Sequence, residues 1–323
     1  MELKPAIRFM GYPNRKFEIR NSEFEIKLLA PAKINIGLLV KEKLTSGYHR
    51  IETIMVPIKL FDTLIINKRE KGIGFKTDSK TLPRGKTNLV LKSARLFFDT
   101  VNMQGGAEIY LQKRIPIGAG LGGGSSDAAH TLLGLNHIYG NVLTLKQLHN
   151  LAVKIGMDVP FFLYGSACYA TGRGEILKQI SLPKFSIVLY VPKYSVSTKW
   201  AYQNVDVGLT PLEMHQNLES VSSAPKRFLT GLTDNSFSLK ILMKKLKHND
   251  LADLNAFVCN TFENLVFSKH PDLLKIKNLF LAHGADTVSL SGSGSAIFGI
   301  FNKDVIRKIS KKLGKEVFIT ETL

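Results

Sequence analysis

Cysteine is scarce in this chain of 323 residues, which contains only Cys168 and Cys259. The two lie far apart in apolar stretches, so their spacing suits no metal site. An extracellular protein of this length would also carry more disulfide bridges. We therefore expect two buried thiols in a reducing compartment, and a cytoplasmic protein.

Long hydrophobic runs are absent as well. No apolar stretch approaches the ~20 residues that a membrane helix needs. The basic N-terminal stretch lacks the apolar core of a secretory signal. We expect no membrane partner, and we interpret residues 1–25 as a peripheral N-terminal extension.

Acidic residues are few relative to basic ones: 26 against 44, a formal net charge of +18. This balance favours anionic partners, such as polyphosphates, nucleic acid or acidic lipid, but does not choose among them. Much of the lysine lies at helical spacing, which is typical of a solvated helix face. The charge alone therefore predicts a positive surface and no particular ligand.

The composition is otherwise that of an ordinary folded protein, with 44% apolar residues. It excludes disorder, collagen-like repeats and coiled coils, and the length fits two domains. Strand and helix patterns mix without a regular βα repeat, which predicts an α+β protein. We expect an N-terminal domain over 26–180, a C-terminal domain over 181–323, and an insertion or loop near 206–226. Residues 161–172 read as a strand, and residues 250–266 read as a helix.

A glycine-rich segment is the most informative feature of the chain. Five glycines occupy seven positions between Gly118 and Gly124, at a large entropic cost. A predicted strand precedes them, and a predicted helix follows from about Ser126 to Tyr139. Such a loop aims backbone N–H groups and a positive helix end at one point, which suits a phosphate. A plain turn is the alternative.

Two common phosphate loops fail on the sequence. Gly118-x-Gly120-x-x-Gly123 matches the dinucleotide fingerprint, but no Asp or Glu occurs between Asp127 and Asp158 to bind a ribose. The P-loop ending Gly85-Lys-Thr lacks its first glycine, because position 80 is lysine. Protein-kinase motifs are also missing.

The run Pro116-Ile-Gly-Ala-Gly-Leu-Gly-Gly-Gly-Ser-Ser126 resembles the nucleotide loop of the GHMP kinase superfamily. Four further segments resemble one branch of it, whose substrate is a cytidyl diphosphate: Ala30-Pro-Ala-Lys-Ile-Asn35, Gly47-Tyr-His49, Gly156-Met-Asp-Val-Pro-Phe161 and Ser291-Gly-Ser-Gly294. The resemblance runs from about residue 28 to 320. It leaves residues 1–25 and 206–226 outside.

The resemblance implies a two-lobed fold, with an N-terminal lobe like ribosomal protein S5 domain 2 and a C-terminal α/β-sandwich lobe. It implies ATP-dependent phosphorylation of the 2-hydroxyl of a cytidyl diphosphate substrate in the non-mevalonate isoprenoid route. ATP and Mg²⁺ are the expected cofactors, nucleic acid is not the expected main partner, and the expected state is a monomer or weak homodimer. Ser126 is a candidate contact for the Mg²⁺, and we find no carboxylate ligand for a protein-held metal.

For catalysis, the resemblance implies that Asp158 is the general base and that Lys33 stabilises charge on the γ-phosphate. A base beside the acceptor is useful because an alcohol is a poor nucleophile at neutral pH. The residues alone leave another interpretation open, in which Asp158 caps the start of a strand and Lys33 is a solvated strand lysine.

For the acceptor, Asn35 is two residues from Lys33 and so projects from the same face of a strand. Tyr48 and His49 follow a turn glycine, and the resemblance implies that they hold the cytosine. The resemblance also implies a second aromatic ring over the cytosine, and this position is Tyr202, where the family pattern leads us to expect Phe. We expect Thr198 to be a further substrate contact. The alternative for this segment is an ordinary turn in which Tyr48 is buried and has no binding role.

For the nucleotide, the implied contacts are Lys113, the weaker candidate Asn88, and the loop residues Pro116, Gly118, Gly120, Leu121, Gly122, Gly123, Gly124, Ser125 and Ser126. The segment Ser291–Ser295 either returns to the active-site floor or is an ordinary hairpin turn. Two rival functions stay open: a GHMP kinase for a mevalonate-like, homoserine or sugar substrate, and a basic RNA-binding protein.

Overall fold

The computed structural model describes residues 25–207, 235–309 and 316–323. Most of the predicted N-terminal extension and of the stretch 206–226 therefore lies outside the described residues. The chain forms two compact units, and each is discontinuous in sequence. The predicted domain limits at 25/26 and 180/181 stay predictions.

The described strands are β1 (Glu25–Lys43), β2 (His49–Arg69), β3 (Gly72–Thr77), β4 (Gly106–Gln112), β5 (Cys168–Thr171), β6 (Ile176–Gln179), β7 (Ser186–Tyr190), β8 (Ala285–Leu290), β9 (Ile297–Phe301) and β10 (Val317–Glu321). The described α-helices are α1 (Leu89–Val101), α2 (Gly123–Ile138), α3 (Leu145–Ile155), α4 (Phe161–Tyr164), α5 (Thr198–Asn204), α6 (Asn235–Lys247), α7 (Glu263–Lys269), α8 (Pro271–Ala282) and α9 (Lys303–Ile309). The predicted mixture of strands and helices is confirmed. None of the described helices has both the length and the apolar composition that crossing a membrane requires.

The first unit consists of residues 25–32, 60–116 and 122–165 of the described chain. The second half of β2 pairs antiparallel with β4, from Thr63 opposite Gln112 to Arg69 opposite Gly106. Strand β3 runs parallel to β4 on its other side. Helices α1, α2 and α3 pack against one another in this unit.

Local sequence signals explain where these helices begin. Asn88 caps α1 by accepting from the N–H groups of Val90 and Leu91. The capping box predicted at Thr144 and Gln147 is confirmed at the start of α3. Helix α2 begins at Gly123 rather than at the predicted Ser126.

The second unit consists of residues 33–59, 117–121 and 166–323, apart from the undescribed ranges. The first half of β2 pairs with β5, and β5 pairs with β6. A separate four-stranded antiparallel sheet has the order β10-β7-β9-β8. Its core includes Val188, Phe262, Phe280 and Ile297.

Two predictions of secondary structure are wrong. Residues 161–172 form helix α4 and then strand β5, because a short buried run such as Phe161–Leu163 has no periodicity that separates strand from helix. Residues 250–266 form a short 3-10 helix (Leu254–Ala256), an irregular stretch and the start of α7. The irregular stretch contains Asn260, whose side chain bonds to nearby backbone groups and so competes with helix formation.

Candidate active site

A buried polar network lies on β1 in the second unit. The Lys33 Nζ donates to Asn35 Oδ1 at 2.5 Å, and the Asn35 Nδ2 donates to Thr53 Oγ1 at 2.9 Å. Thr53 Oγ1 in turn donates to the Gly37 carbonyl at 2.7 Å. Lys33 is only 3% exposed. The structure thus places Lys33 and Asn35 on one face, as predicted, and Lys33 is not a solvated strand lysine.

The first half of the glycine loop, residues 117–121, belongs to the same unit. The Lys33 backbone N–H donates to the Leu121 carbonyl at 2.9 Å. Gly120 has φ +78, and a Cβ there would overlap the carbonyl oxygen of Ser291. Only glycine combines this backbone conformation with so close an approach.

The segment Ser291–Ser295 packs on this half of the loop. Ser291 Oγ donates to the Gly120 carbonyl at 3.1 Å, and the Ala296 N–H donates to the Ala119 carbonyl at 3.0 Å. A Cβ built on Gly292 would lie 3.4 Å from both Lys33 Nζ and Asn35 Oδ1. The ammonium, the amide and two backbone loops therefore meet at one place in the second unit.

The second half of the glycine loop opens helix α2 in the first unit. Gly122 occupies the N-cap with φ +69 and supplies no side-chain cap, and the first turn holds no acidic residue. The positive end of a 16-residue helix favours an anion there. Among the described atoms, the buried Ser126 Oγ and Asp127 Oδ1 have no hydrogen-bond partner.

Lys113 lies between two buried carboxylates of the first unit. Its Nζ bonds to Asp62 Oδ2 and, at 2.9 Å, to Asp127 Oδ2. Burial alone would lower the pKa of Lys113, but Asp127 and Asp62 outweigh it and raise that pKa. Burial raises the pKa of Asp127 to about 8, although the Lys113 ammonium lowers it. Asp127 therefore holds a proton near neutral pH.

The other candidates of the first unit have local roles in the structure. The Asn88 side chain accepts from two helical N–H groups and donates to the Pro83 carbonyl at 2.6 Å. Asp158 is half-buried in the turn between α3 and α4. As nucleotide contact and general base, respectively, these two residues stay predictions.

Aromatic rings gather in the second unit. His49 and Tyr202 are stacked with ring centroids 5.6 Å apart. Burial and the nearby Lys43 lower the pKa of His49, so its ring is neutral at physiological pH. Tyr48 is 50% exposed and has the Arg173 guanidinium 5.2 Å from its ring centroid. Tyr48 therefore has an exposed ring, whereas the His49 and Tyr202 rings form a stacked pair.

Thr198 begins helix α5 in the same unit. Its Oγ1 lies 3.0 Å from the Ser293 Oγ, so it touches the loop that packs on the glycine segment. The structure thus brings together Lys33, Asn35, Gly118, Gly120, Leu121 and Thr198 through the 117–121 and 291–295 segments. His49 and Tyr202 form a second group.

The chain matches the profile of the GHMP kinases N terminal domain at residues 88–166 and that of the GHMP kinases C terminal at residues 242–320. A 4-diphosphocytidyl-2-C-methyl-D-erythritol kinase of Clostridium novyi (strain NT) is 35% identical over 302 residues, which cover 91% of this chain and 99% of that one. The same kinase of Chlorobium phaeobacteroides (strain BS1) is 40% identical over 282 residues, covering 86% and 90%. The chain belongs to the 4-diphosphocytidyl-2-C-methyl-D-erythritol kinase family.

Solved structures agree with membership of this kinase family. A crystal structure of 4-(cytidine 5'-diphospho)-2C-methyl-D-erythritol kinase matches with a TM-score of 0.72 and 32% identity, covering 92% of this chain and 98% of that one. A homoserine kinase from Cytophaga hutchinsonii matches with a TM-score of 0.71 at 19% identity, covering 94% and 96%, which shows the fold alone. The predicted GHMP kinase fold is confirmed, and the chain is a small-molecule kinase of the class that uses ATP.

Several buried polar residues near the predicted site residues were missed by the sequence reasoning. Thr53, Asp62, Asn260 and Glu263 are buried and hydrogen-bonded around the site segments. Thr53 and Asp62 were detectable as polar positions inside apolar strands. Asn260 and Glu263 gave no such signal, because they fell in a stretch predicted as an ordinary helix.

The side chains of the described residues decide whether the protein itself can hold a metal ion. Across the described ranges, no group of three His, Cys, Asp or Glu side chains could hold one. Mg²⁺ takes oxygen ligands and keeps several from phosphate and water. The unpartnered Ser126 hydroxyl is such an oxygen ligand in the first turn of α2, whereas Asp127 holds a proton and is bonded to Lys113. Ser126 therefore fits an ion that takes its other ligands from a triphosphate and water.

Proposed function

We propose that this kinase transfers the γ-phosphoryl group of ATP to the 2-hydroxyl of 4-(cytidine 5'-diphospho)-2-C-methyl-D-erythritol, in the non-mevalonate route to isoprenoid precursors. The observation that carries the proposal is the buried Lys33 ammonium, which is held beside Asn35 and the glycine segments 117–121 and 291–295. A buried cation beside bare backbone amides suits a phosphoryl group in transfer.

The triphosphate is proposed to bind along the glycine loop. Gly118 and Gly120 supply backbone without side chains, and the N-terminus of α2 supplies a positive helix end. Ser126 would contact the Mg²⁺, which would take its other ligands from phosphate and water and would neutralise charge on the phosphates. Lys113 and Asn88 stay predictions as nucleotide contacts, because both also serve local structure.

The transfer itself needs a base and a charge stabiliser. The acceptor hydroxyl oxygen forms a bond to the γ-phosphorus while the bond from that phosphorus to the β,γ-bridging oxygen breaks. Asp158 takes the hydroxyl proton, and ADP leaves with the bridging oxygen. Lys33 stabilises the charge on the transferring group, and Asn35 orients the acceptor and the ammonium through its 2.5 Å bond.

The acceptor's cytosine is proposed to bind at the aromatic residues of the second unit. The stacked His49 and Tyr202 rings and the half-exposed Tyr48 offer flat apolar faces to a base. A neutral His49 can also donate or accept a hydrogen bond at the edge of the pyrimidine. Thr198 is proposed to contact the substrate next to Ser293.

An acceptor comparison tests the proposal. ATP-dependent ADP release is measured with the cytidyl substrate, mevalonate and homoserine at equal concentrations, and the phosphorylated product is identified by mass spectrometry. We expect kcat/KM for the cytidyl substrate to exceed the other two by at least about 10³-fold, since a site built to bind a polar group rejects analogues that lack it. Comparable or greater activity with mevalonate or homoserine would contradict the proposal.

A further inference from the structure

Four consecutive residues, Asn260–Glu263, lead from the irregular stretch into the first position of α7 and are buried to 4% exposure or less. Three of the four side chains are polar. Buried polar groups are held by specific hydrogen bonds in folded proteins. Together the four contact β1, the chain at Leu290–Gly292 and the Tyr202 ring.

Asn260 holds the loop that approaches Lys33. Its Nδ2 donates to the Leu290 carbonyl at 2.8 Å and to the Gly292 carbonyl at 2.9 Å. Its Oδ1 accepts from the Phe262 N–H at 3.0 Å. One amide therefore bonds to the carbonyls on either side of Ser291, at the start of the turn.

Thr261 holds the strand that carries Lys33 and Asn35. Its Oγ1 accepts from the Val40 N–H at 3.0 Å and donates to the Leu38 carbonyl at 3.2 Å. The Thr261 N–H also donates to the Leu38 carbonyl at 3.0 Å. These bonds attach the segment directly to the end of β1.

Phe262 and Glu263 complete the set. The Phe262 ring meets the edge of Tyr202, with centroids 4.9 Å apart. Glu263 Oε1 accepts from Ser289 Oγ at 2.7 Å and from the Leu290 N–H at 2.9 Å, and its Oε2 accepts from Lys277 at 2.6 Å. Leu290 directly precedes the 291–295 loop. Glu263 thus holds its N–H, and Asn260 holds its carbonyl.

We propose that Asn260–Glu263 is a positioning segment for phosphoryl transfer: it fixes the strand of Lys33 and Asn35 against the 291–295 loop and the Tyr202 ring. This inference rests on the proposed function. The four residues act through their neighbours, so they are positioning residues. Their loss misplaces reacting groups, and a misplacement of about 1 Å can lower a rate about 10²-fold.

Thr261 offers a matched pair of variants. Thr261→Val keeps the shape of the side chain and removes the hydroxyl, whereas Thr261→Ser keeps the hydroxyl. We expect Thr261→Val to lower kcat about tenfold or more, with both KM values within about threefold of the original, because misplaced groups affect the transition state more than ground-state binding. Thr261→Ser should retain kcat within about twofold.

Asn255 is a control for Asn260, because it also bonds to β8. Asn255 Oδ1 accepts from Thr287 Oγ1 at 3.2 Å and from the Val288 N–H at 3.3 Å, so it holds the middle of β8, away from the 291–295 loop. We expect Asn260→Ala to lower kcat about tenfold or more and Asn255→Ala to leave it within about twofold. Equal losses in both variants would overturn the proposal, because general destabilisation would then explain them.

Hydrogen exchange on the full chain separates this inference from the proposed function. We expect faster amide exchange confined to residues 36–41 in Thr261→Val and to 290–296 in Asn260→Ala. Exchange that rises equally throughout the second unit, or not at all, would overturn the positioning segment. If the original enzyme fails to phosphorylate the cytidyl substrate, the proposed function is wrong, and the exchange data still decide whether the segment holds these parts.

Discussion

Lys33 shows how strongly single residues depend on their surroundings in this enzyme. A buried charge is costly unless polar partners surround it, and here Asn35, Thr53 and the Gly37 carbonyl form a chain of hydrogen bonds from the ammonium. Such a chain orients the Lys33 ammonium and leaves the Asn35 amide little freedom. The arrangement suits a group that must stabilise charge at one fixed point.

Tyr202 is the residue at which the sequence departs from the expected Phe. Tyr202→Phe keeps the ring that stacks on His49, so we expect the KM for the cytidyl substrate to change less than about twofold. Tyr202→Ala should raise that KM about 10- to 100-fold, since stacking contributes roughly 1–3 kcal/mol per base. Steady-state kinetics with each substrate varied in turn measures the KM change in both variants.

The KM for ATP is the control in that experiment. Tyr202 is proposed to bind the acceptor and not ATP, so Tyr202→Ala should leave the KM for ATP nearly unchanged. An equal rise in both KM values would show that the ring supports the fold of the unit rather than the cytosine.

Sequence reasoning predicted part of this site at the residue scale. The period-2 spacing of a strand was enough to place Lys33 and Asn35 together. Thr53 stands out as a polar position inside an apolar strand, but its contact with Asn35 joins different strands, and no local pattern reports such a contact. The same limit applies to Gly120 and Ser291, which meet only when distant loops pack.

Among the elements, the start of α2 and the end of β4 are joined by the Asp62–Lys113–Asp127 triad. Asp62 Oδ1 also accepts from the Arg114 and Ile115 N–H groups, at 2.5 and 2.9 Å. The strand end, the helix and the chain that leads into the glycine loop therefore share one buried cluster. This cluster fixes the direction in which the loop leaves the sheet.

The triad predicts a pH dependence of stability. Asp127 has a folded pKa of about 8, raised by burial from an ordinary value of 3.8, so the folded state binds more protons than the unfolded state between those values. Its contribution to the free energy of unfolding therefore falls as pH rises from about 4 to 8. Asp127→Asn removes this titration, so we expect a smaller loss of stability between pH 6 and pH 8.

Urea unfolding at the two pH values measures the effect. Asp62→Asn is the contrasting variant, because it places an amide where a carboxylate accepts from Lys113 and two N–H groups. It should lower the free energy of unfolding by about 2–3 kcal/mol at both pH values. Equal pH dependence in the original protein and in Asp127→Asn would contradict the assignment of the proton to Asp127.

Over the whole molecule, the two thiols report on burial in the second unit. Burial raises the pKa of Cys168 and that of Cys259 to about 12, so neither forms thiolate at pH 8. We expect a disulfide reagent at pH 8 to modify neither thiol in the native protein and both in concentrated guanidinium. Rapid modification of the native protein would contradict their burial.

The same thiols affect stability only in alkali. Their folded pKa values exceed the ordinary value of 9.0, so the folded state holds these protons longer than the unfolded state. Their contribution to the free energy of unfolding is complete below about pH 9 and declines as pH rises from 9 towards 12.

The fold class and family could be predicted because short, specific segments carry them. The α+β class followed from mixed periodicities, and the glycine loop carried the family resemblance. Residues 250–266 were mispredicted because the apolar spacing of that stretch resembles a helix, while Asn260 and Thr261 bond to distant segments. Tertiary contacts overrode local pattern where the chain positions the site.

A double-mutant cycle tests the central claim, that Lys33 and Asp158 act on one transferring phosphoryl group. The single-turnover rate at saturating ATP and cytidyl substrate is measured for Asp158→Asn, Lys33→Met and the double variant. Asp99→Asn and Lys27→Met serve as controls, because neither residue belongs to the site. Each single site variant should lower the rate about 10²–10⁴-fold.

Residues that act as a unit on one transition state show non-additive losses. We predict that the double variant is no more than about tenfold slower than the slower single variant, with both controls near the original rate. Losses that multiply in the double variant would show that Lys33 and Asp158 act independently, and would contradict the account.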